Sequence, residues 1–300
     1  MTLFSRLVAR PLARVVQAAP HPEVPAAVTF PEIPGRTRTL TIPTTQGDAE
    51  ATVYYPPQDP DATPPVHVNF HGGGFVIGHY DMDDAMCRYL AANAPAVVVN
   101  VDYLLAPQHP FPAPARQAYE VVRWVATHGT DHGWDGGRLG VGGQSAGGSL
   151  AAAAARQAWE NGGPRIGLQV LNYAPFDLED PKKRAKAAKP VVRPAIVPIL
   201  QGAYLPKVAD RTDPLVSPLY GTNADHLDGI APALVITCEL DLLRDEGIRY
   251  AAKLRASNAL LEHREFEGLD HAFNLLTEET ARTREMYDLV ARYIAKIPAP

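Results

Sequence analysis

Residues 138–152 read RLGVGGQSAGGSLAA, and this stretch decides the fold. Its first residues are mostly small and apolar, a Gly-x-Ser-x-Gly pattern centred on Ser145 follows, and an alanine-rich run ends it. That order predicts a strand, a sharp turn and a helix, and such a turn needs small neighbours because the serine backbone in it is strained. Gly143 and Gly147 provide that room. We therefore expect the hydroxyl of Ser145 to project from the end of a strand as a nucleophile.

Other glycine-rich turns match this stretch less well. A dinucleotide-binding loop that starts at Gly140 finds Gly142 but meets Ser145 where its third glycine belongs. A phosphate-binding loop is excluded because no Gly-Lys-Ser/Thr triplet follows. This stretch alone does not exclude a plain glycine-rich turn in which Ser145 has no catalytic role.

A second glycine cluster precedes the serine. The sequence HGGG at 71–74 directly follows the apolar segment 66–70. Glycines leave backbone N–H groups free to point at a ligand, and acyl transfer needs such donors for the tetrahedral oxyanion. We expect the N–H groups of Gly73 and Gly74 to form an oxyanion hole with that of Ala146, the residue after the serine. A glycine triplet alone is more often a flexible turn, so the assignment depends on its position after a strand and its pairing with the serine turn.

An acid and a base are expected after the serine, in the order Ser, Asp, His. Asp241 comes directly after the apolar segment Ala233–Cys238, at the expected carboxyl end of a strand. His271 lies in the loop sequence GLDHAF, after the strand-like segment Glu262–Glu267. A serine hydroxyl is a weak nucleophile until a neutral imidazole accepts its proton, and a buried carboxylate holds the imidazole in the required tautomer. We predict that His271 is this base and that Asp241 orients it.

Three nearby side chains are less suitable for these roles. Asp245 lies where the next helix is expected to begin, a position that favours a carboxylate. Asp270 is adjacent to His271 in sequence, which is a poor position from which to orient its ring. His263 lies inside the predicted strand, where we expect an edge or surface role.

Alternation of strands and helices defines the fold class. Segments that are apolar on both faces suit a buried, mostly parallel sheet. The central strands are expected at 66–70, 96–101, 138–142, 168–173 and 233–238, with outer strands at 38–43 and 49–55. Helical spacing marks residues 83–93, 114–128, 145–160, 245–257 and 278–297. Strands that alternate with helices predict an α/β fold whose mostly parallel central sheet is flanked by helices.

The chain begins with an amphipathic segment. Arg6, Arg10 and Arg14 recur every fourth residue beside an apolar face, which predicts a helix bent or broken at Pro11. The arginines interrupt the apolar stretch that a secretory signal needs, and no other segment has the roughly 20 apolar residues of a transmembrane helix. Such a helix packs on the rest of the protein or lies on a membrane surface, and packing is favoured. We expect a cytoplasmic protein without stable membrane insertion that can still touch a membrane through this helix.

A second segment interrupts the alternation of strands and helices. Residues 181–213 contain several prolines and no strand pattern, and their apolar part, 191–204, is expected to be helical. Together with residues 1–45, this insertion is predicted to form a helical cap near the carboxyl ends of the strands, where folds of this class bind ligands. The α/β core then comprises residues 46–180 and 214–300.

Composition narrows the range of partners. The 300 residues carry a formal net charge of -5 with no basic stripe, so a nucleic-acid partner is not expected. Cys87 and Cys238 make neither a disulfide framework nor a Cys-x-x-Cys zinc pair, and both are expected to be buried apolar side chains. No cofactor or metal is expected. The predicted partner is a small-molecule ester, and monomer and homodimer both fit the sequence.

Taken together, the motifs resemble those of the bacterial hormone-sensitive-lipase-like esterases, also called family IV, of the α/β-hydrolase superfamily. The likeness runs from about residue 66 to the C-terminus through HGGGFVIG, VDYLLAPQHPFPAP, GGQSAGG, DPLVSPL, CELDLLRDEG and GLDHAF, in the family's order. The resemblance implies an α/β-hydrolase fold with a helical cap and activity on short- to medium-chain acyl esters. It also implies oxyanion donors at Gly73, Gly74 and Ala146, the residues that the chemistry selects.

The chain departs from the family pattern beside its motifs. The family usually has an acidic residue or threonine just before the serine, where this chain has Gln144. The common Tyr-Arg-Leu-Ala-Pro-Glu becomes YLLAPQ, so that Leu104 and Gln108 replace both charges, and Leu242 replaces the proline that usually follows the acid. These changes leave every predicted catalytic residue in place, and they bear on substrate preference and rate.

The motifs therefore predict a serine carboxylester hydrolase that works through an acyl-enzyme on Ser145. One alternative is a non-catalytic ligand-binding protein on the same fold, and the presence of Ser145, Asp241 and His271 argues against it. Another is an amide or carbamate hydrolase with the same three residues, which sequence alone does not separate from an esterase.

Overall fold

The centre of the molecule is a single eight-stranded sheet. The computed structural model describes residues 3–20, 22–57, 63–78, 80–180, 183–220 and 226–299. Its strands are β1 (Arg36–Ile42), β2 (Ala49–Tyr55), β3 (Pro65–Phe70), β4 (Val97–Asp102), β5 (Asp135–Gln144), β6 (Leu168–Asn172), β7 (Ala233–Cys238) and β8 (Leu260–Phe266). The strand order is β1-β2-β4-β3-β5-β6-β7-β8, with antiparallel pairing at β1-β2 and β2-β4 and parallel pairing elsewhere. The predicted α/β fold with a mostly parallel sheet is confirmed.

Helices connect the strands and cover both faces of the sheet. They are α1 (Leu3–Gln17), α2 (Asp84–Asn93), α3 (Ala113–Thr127), α4 (Gly129–His132), α5 (Ala146–Glu160), α6 (Val197–Tyr204), α7 (Arg244–Ala256), α8 (Phe273–Leu276) and α9 (Thr280–Ile294). Alternate residues of β7 enter different apolar clusters, because side chains in a strand point to opposite faces. Val235 joins the cluster formed with α3, α5 and α7, while Leu234 and Ile236 join the one formed with α2 and α9.

Burial along the strands explains why their sequences are apolar throughout. Every residue of β3, β6 and β7 is buried, as expected for strands covered on both faces. The edge strands β1 and β8 are mostly exposed or half-buried. Cys87 and Cys238 lie in the cluster of α2 and α9 as free, buried thiols, as predicted, and burial raises the pKa of both.

The N-terminal helix packs on the rest of the protein along one side. The sequence predicts a bend or a break at Pro11; the helix runs continuously through that residue, so the break does not occur. α1 lies against α6, Ala13 is fully buried, and Nε2 of Gln17 donates to the carbonyl of Val76 at 2.8 Å. The side chain of Arg6 lies outside the described part of the chain. Among the described residues, no helix has the length and apolar character needed to cross a bilayer.

The segments predicted to form a cap contain less helix than expected. In the insertion, α6 begins only at Val197, with Pro198 in its first turn, where the missing N–H of proline has no helical partner to lose. In the N-terminal segment 1–45, residues 36–42 form β1, in agreement with the outer strand predicted at 38–43, and pair with β2 along its full length. A cap contribution from that segment is therefore confined to the residues that precede the sheet.

Candidate active site

The serine lies at the turn between β5 and α5. Its backbone has φ +52° and ψ −120°, a conformation that non-glycine residues rarely adopt and that costs energy to hold. The N–H of Ser145 donates to the carbonyl of Asn172 at 2.9 Å, which fastens the turn to β6. A side chain on Gly143 or Gly147 would collide with the backbone of Phe70 at the end of β3. The turn therefore requires the small residues that surround the serine in the sequence.

A histidine and an aspartate from two other strand ends form a buried pair. Nδ1 of His271 lies 2.8 Å from Oδ2 of Asp241, and their side chains are 6% and 1% exposed. The second carboxylate oxygen accepts the N–H of Leu243 at 3.0 Å. Since Nδ1 is occupied by the carboxylate, Nε2 on the opposite side of the ring is the nitrogen left for proton transfer.

The three alternative side chains have other partners. Asp245 lies in the first turn of α7 and pairs with Arg244, as its sequence position suggested. Asp270 accepts the N–H groups of Val191 and His271 at 2.8 and 2.7 Å. His263 lies in β8, where its Nε2 is 2.9 Å from Oγ1 of Thr237 in the neighbouring strand.

The glycine loop lies against the serine turn. A Cβ added to Gly72 would be 3.7 Å from that of Ser145. Gly73 and Gly74 have φ values of +115° and +61°, which only glycine adopts readily. A side chain on Gly73 would also collide with the carbonyl of Ile77, whose own N–H donates to the Gly73 carbonyl at 2.9 Å. The loop is thus a compact turn of defined geometry.

One cavity of about 290 Å³ connects these elements. Ser145, His271 and the glycine loop line it, together with largely apolar side chains from α6 and the loops around it. The ring of Tyr204 on α6 stacks on Phe75 at 3.9 Å. Lys183 also lines the cavity, and its Nζ lies 2.5 Å from Oε2 of Glu246, with both side chains buried. The apolar part of the insertion therefore faces the predicted catalytic residues.

A buried carboxyl group that the sequence did not single out lies behind the serine turn. Nε2 of Gln144 donates to Oδ1 of Asp83 at 2.7 Å, and Nδ2 of Asn69 donates to Oδ2 at 2.8 Å. Burial raises the pKa of Asp83 to about 7, although the two amide donors act in the opposite direction. The only signal in the sequence was indirect, since Gln144 stands where related chains usually carry an acidic residue or threonine.

The other side of the Gln144 amide contacts the histidine loop. Its carbonyl oxygen accepts Nδ2 of Asn274 at 2.7 Å and lies within hydrogen-bond distance of the Tyr173 hydroxyl. That hydroxyl also lies 2.6 Å from Oδ1 of Asn274. The ring of Tyr173 contacts His271 edge-on, with 4.8 Å between the ring centres. Gln144 is thus bonded on both sides by fully buried polar groups.

The remaining departures from the family motifs are satisfied locally. The N–H of Leu104 donates to Oε1 of Gln117 on α3 at 2.8 Å, and Nε2 of Gln108 donates to Oε1 of Gln17 on α1 at 2.7 Å. Leu242 is a buried apolar side chain beside Asp241. Each substituted residue therefore has a defined environment in this chain.

The fold and the serine turn together define the α/β-hydrolase class of protein. Residues 67–275 match the model of a family described by its alpha/beta hydrolase fold, and the chain belongs to this family. The resemblance to the bacterial hormone-sensitive-lipase-like esterases is confirmed.

Individual relatives support the same placement. The chain is 37% identical over 254 residues to esterase LipI of Mycobacterium tuberculosis, covering 84% of this chain and 78% of that protein. It is 33% identical to an ethyl acetate hydrolase of Pseudomonas putida, covering 74% and 70% of the two chains. The crystal structure of an esterase from Pyrobaculum calidifontis superposes with a TM-score of 0.80 at 31% identity, covering 100% of this chain and 94% of that one.

Proposed function

We propose that this protein is a serine carboxylester hydrolase that cleaves short- to medium-chain acyl esters through an acyl-enzyme intermediate. One observation carries the proposal: His271, hydrogen-bonded to the buried Asp241, lines the same cavity as Ser145 beside the glycine loop. The names of the relatives, an esterase and an ethyl acetate hydrolase, support the same reaction class.

In the proposed acylation step, Oγ of Ser145 attacks the ester carbonyl carbon while Nε2 of His271 accepts the hydroxyl proton. Asp241 stabilises the imidazolium that forms, because its carboxylate accepts a hydrogen bond from the N–H at Nδ1. The tetrahedral intermediate then releases the alcohol, which takes the proton from His271, and the acyl group stays on Ser145. In deacylation His271 removes a proton from water, the hydroxide adds to the acyl carbonyl, and Ser145 leaves with that proton.

The proposed oxyanion hole consists of the N–H groups of Gly73, Gly74 and Ala146. Ala146 opens α5, a helix of 15 residues, so the positive end of its dipole lies next to the developing negative charge. Donors of this kind stabilise the transition state more than the substrate, and removing one typically lowers kcat by about 10²–10³.

The cavity supports a substrate of modest size. Its volume of about 290 Å³ is just below the range of small-molecule sites, which span about 300–1,000 Å³. Leu200 on α6 limits the space over the glycine loop, since its Cδ1 lies 2.6 Å from the place a Cβ on Gly74 would occupy. An acyl chain of a few carbons fits these dimensions better than a long fatty acyl chain.

We further propose that α1 and the insertion 181–213 form the cap of this site. α6 provides the apolar wall of the cavity, α1 lies against α6, and Asp270 binds the insertion backbone at Val191 next to His271. Residues 181 and 182 of that insertion lie outside the described part of the chain. The cap would cover the acyl chain and set its length.

The outer face of α1 supports reversible contact with an anionic membrane surface. Val8, Leu12 and Val15 share one helical face and are 37%, 41% and 67% exposed, and Arg14 is exposed on another face of the same helix. An apolar face combined with arginine on the polar face is typical of helices that lie in a lipid interface. We propose a cytoplasmic protein, monomeric or homodimeric, that touches membranes in this way, and its free thiols fit a reducing compartment.

Vesicle sedimentation tests the membrane contact. The protein should sediment with phosphatidylglycerol vesicles and not with phosphatidylcholine vesicles, and a triple variant with glutamine at positions 8, 12 and 15 should stay in the supernatant. Equal sedimentation of the wild type and the triple variant would show that this face is not the contact.

A substrate panel tests the enzyme activity and separates its alternatives. We expect hydrolysis of p-nitrophenyl acetate, butyrate and octanoate, little hydrolysis of the palmitate, and at least about tenfold slower hydrolysis of the matched p-nitroanilides. Saturable binding of these esters without turnover would instead support a ligand-binding protein. Equal or faster cleavage of the anilides would support an amide hydrolase.

A further inference from the structure

The buried polar network behind Ser145 joins the three loops that carry the proposed site. Asn69 lies at the end of β3, just before the glycine loop, and Gln144 ends β5, just before the serine. Asn274 belongs to α8, directly after the histidine loop. Asp83 binds Asn69 and Gln144, and Gln144 binds Asn274. All of these side chains are at most 1% exposed, so water does not compete for their hydrogen bonds.

We propose that Asp83 is a positioning residue that fixes the serine turn relative to the glycine and histidine loops, through Gln144. The inference rests on the proposed function, because the geometry that it holds is that of Ser145, His271 and the oxyanion hole.

The hydrogen-bond pattern allows only one orientation of the Gln144 amide. Its NH₂ group donates to Asp83, and its carbonyl oxygen accepts from Asn274. Both oxygens of Asp83 accept from amide groups, one from Gln144 and one from Asn69. An asparagine at position 83 would turn an NH₂ group toward one of those two donors, and a buried donor without an acceptor is costly.

The same pattern explains how a glutamine is accommodated before the serine. The related esterases usually carry an acidic residue or threonine just before the serine, and in this chain a carboxylate lies across one hydrogen bond from that position, at Asp83. Exchanging the two groups, with asparagine at position 83 and glutamate at position 144, preserves every hydrogen bond. The NH₂ group of the new asparagine would donate to the new glutamate, and the carbonyl oxygen of that asparagine would still accept from Asn69. The new carboxylate would accept from Asn274 as the carbonyl of Gln144 does.

A mutant cycle tests this assignment with Asp83→Asn, Gln144→Glu and the double variant that contains both. The readout is kcat per active site, with active sites counted by organophosphate titration, together with KM for p-nitrophenyl butyrate. In the Gln144→Glu variant two buried carboxylates face each other, and in Asp83→Asn a buried amide donor loses its acceptor. Each single change therefore disturbs the contacts between positions 83 and 144 and their neighbours in a different way. Asp84→Asn is the matched control, since Asp84 is 45% exposed and pairs with Arg88.

We expect each single variant to lose about tenfold or more in kcat per titrated site, with KM nearly unchanged, and the double variant to recover most of that loss. A purely structural role would lower the melting temperature or the titrated fraction and leave kcat per titrated site at the wild-type value, which would overturn the inference. Additive losses in the double variant would also overturn it. A wild type that neither turns over esters nor is titrated would instead refute the proposed function.

Discussion

Nδ1 of His271 lies 2.8 Å from Oδ2 of Asp241 in a contact that is almost completely shielded from solvent. The two residues follow β8 and β7, neighbouring parallel strands, so their loops meet at the same edge of the sheet. The other oxygen of Asp241 is held by the N–H of Leu243, which prevents the carboxylate from rotating. The ring of His271 is thereby held in one orientation, with Nε2 directed away from Asp241.

Replacing Asp241 by asparagine should lower kcat by up to about 10⁴, because the amide favours the wrong imidazole tautomer while keeping the shape of the side chain. Steady-state kinetics on p-nitrophenyl butyrate measure the loss. Asp245→Asn is the control, since that carboxylate is 84% exposed and lies four residues further along the same loop-helix junction. Comparable losses in both variants would contradict the proposed role of Asp241.

Replacing Gly73 by alanine should lower kcat about 10²-fold, because the new methyl group collides with the Ile77 carbonyl and displaces the proposed oxyanion donors. Gly133→Ala is the control: Gly133 also has a positive φ, +82°, but open space surrounds it. That variant should lose about 1 kcal/mol of unfolding free energy and keep its kcat. Wild-type kcat in Gly73→Ala would contradict the oxyanion assignment.

Replacing Leu200 by alanine should shift the preference toward longer acyl chains, because its side chain fills the cavity over the glycine loop. The ratio of kcat/KM for the octanoate to that for the butyrate ester should rise about tenfold, the usual effect of a few methylene contacts. Ile199→Ala is the matched control on the same helix, since Ile199, like Leu200, is half-buried against the apolar core but does not line the cavity. An unchanged ratio in Leu200→Ala would place the acyl chain elsewhere.

The buried ion pair of Lys183 and Glu246 should hold the start of the insertion on α7. Glu246→Gln leaves the ammonium group buried without its partner, so we expect a loss of about 3 kcal/mol in unfolding free energy by urea denaturation. Adding Lys183→Met should recover much of that loss, since glutamine still accepts the N–H of Phe176 that Glu246 binds. Losses that simply add would show that the two charges do not interact.

Sequence patterns predict the serine turn well because its requirements are local. A strained serine after a strand needs small neighbours, and glycine and alanine surround Ser145 in the chain. Asp241 and His271 could be selected because each follows a predicted strand in the expected order. That they lie 2.8 Å apart depends on the adjacent positions of β7 and β8, which the patterns did not reveal.

The features that sequence reasoning missed depend on contacts between distant segments. Asp83 and Gln144 are 61 residues apart, and nothing near Asp83 distinguishes it from the adjacent Asp84. Their contact arises because β3 and β5 pair side by side, and Asp83 in the turn before α2 accepts hydrogen bonds from both strands, through Asn69 and Gln144. The absence of a break at Pro11 has a similar reason, since packing of α1 against α6 stabilises a continuous helix that local propensity disfavours.

The central claim is that Ser145 forms the acyl-enzyme, and organophosphate labelling tests it most directly. A fluorophosphonate should react once per chain, the adduct should lie on the peptide that contains Ser145 by mass spectrometry, and ester turnover should fall in proportion to labelling. Ser145→Ala should keep the wild-type melting temperature, take no label and hydrolyse no ester. Ester turnover retained by Ser145→Ala, or proportional inactivation with the adduct on another residue, would contradict the account.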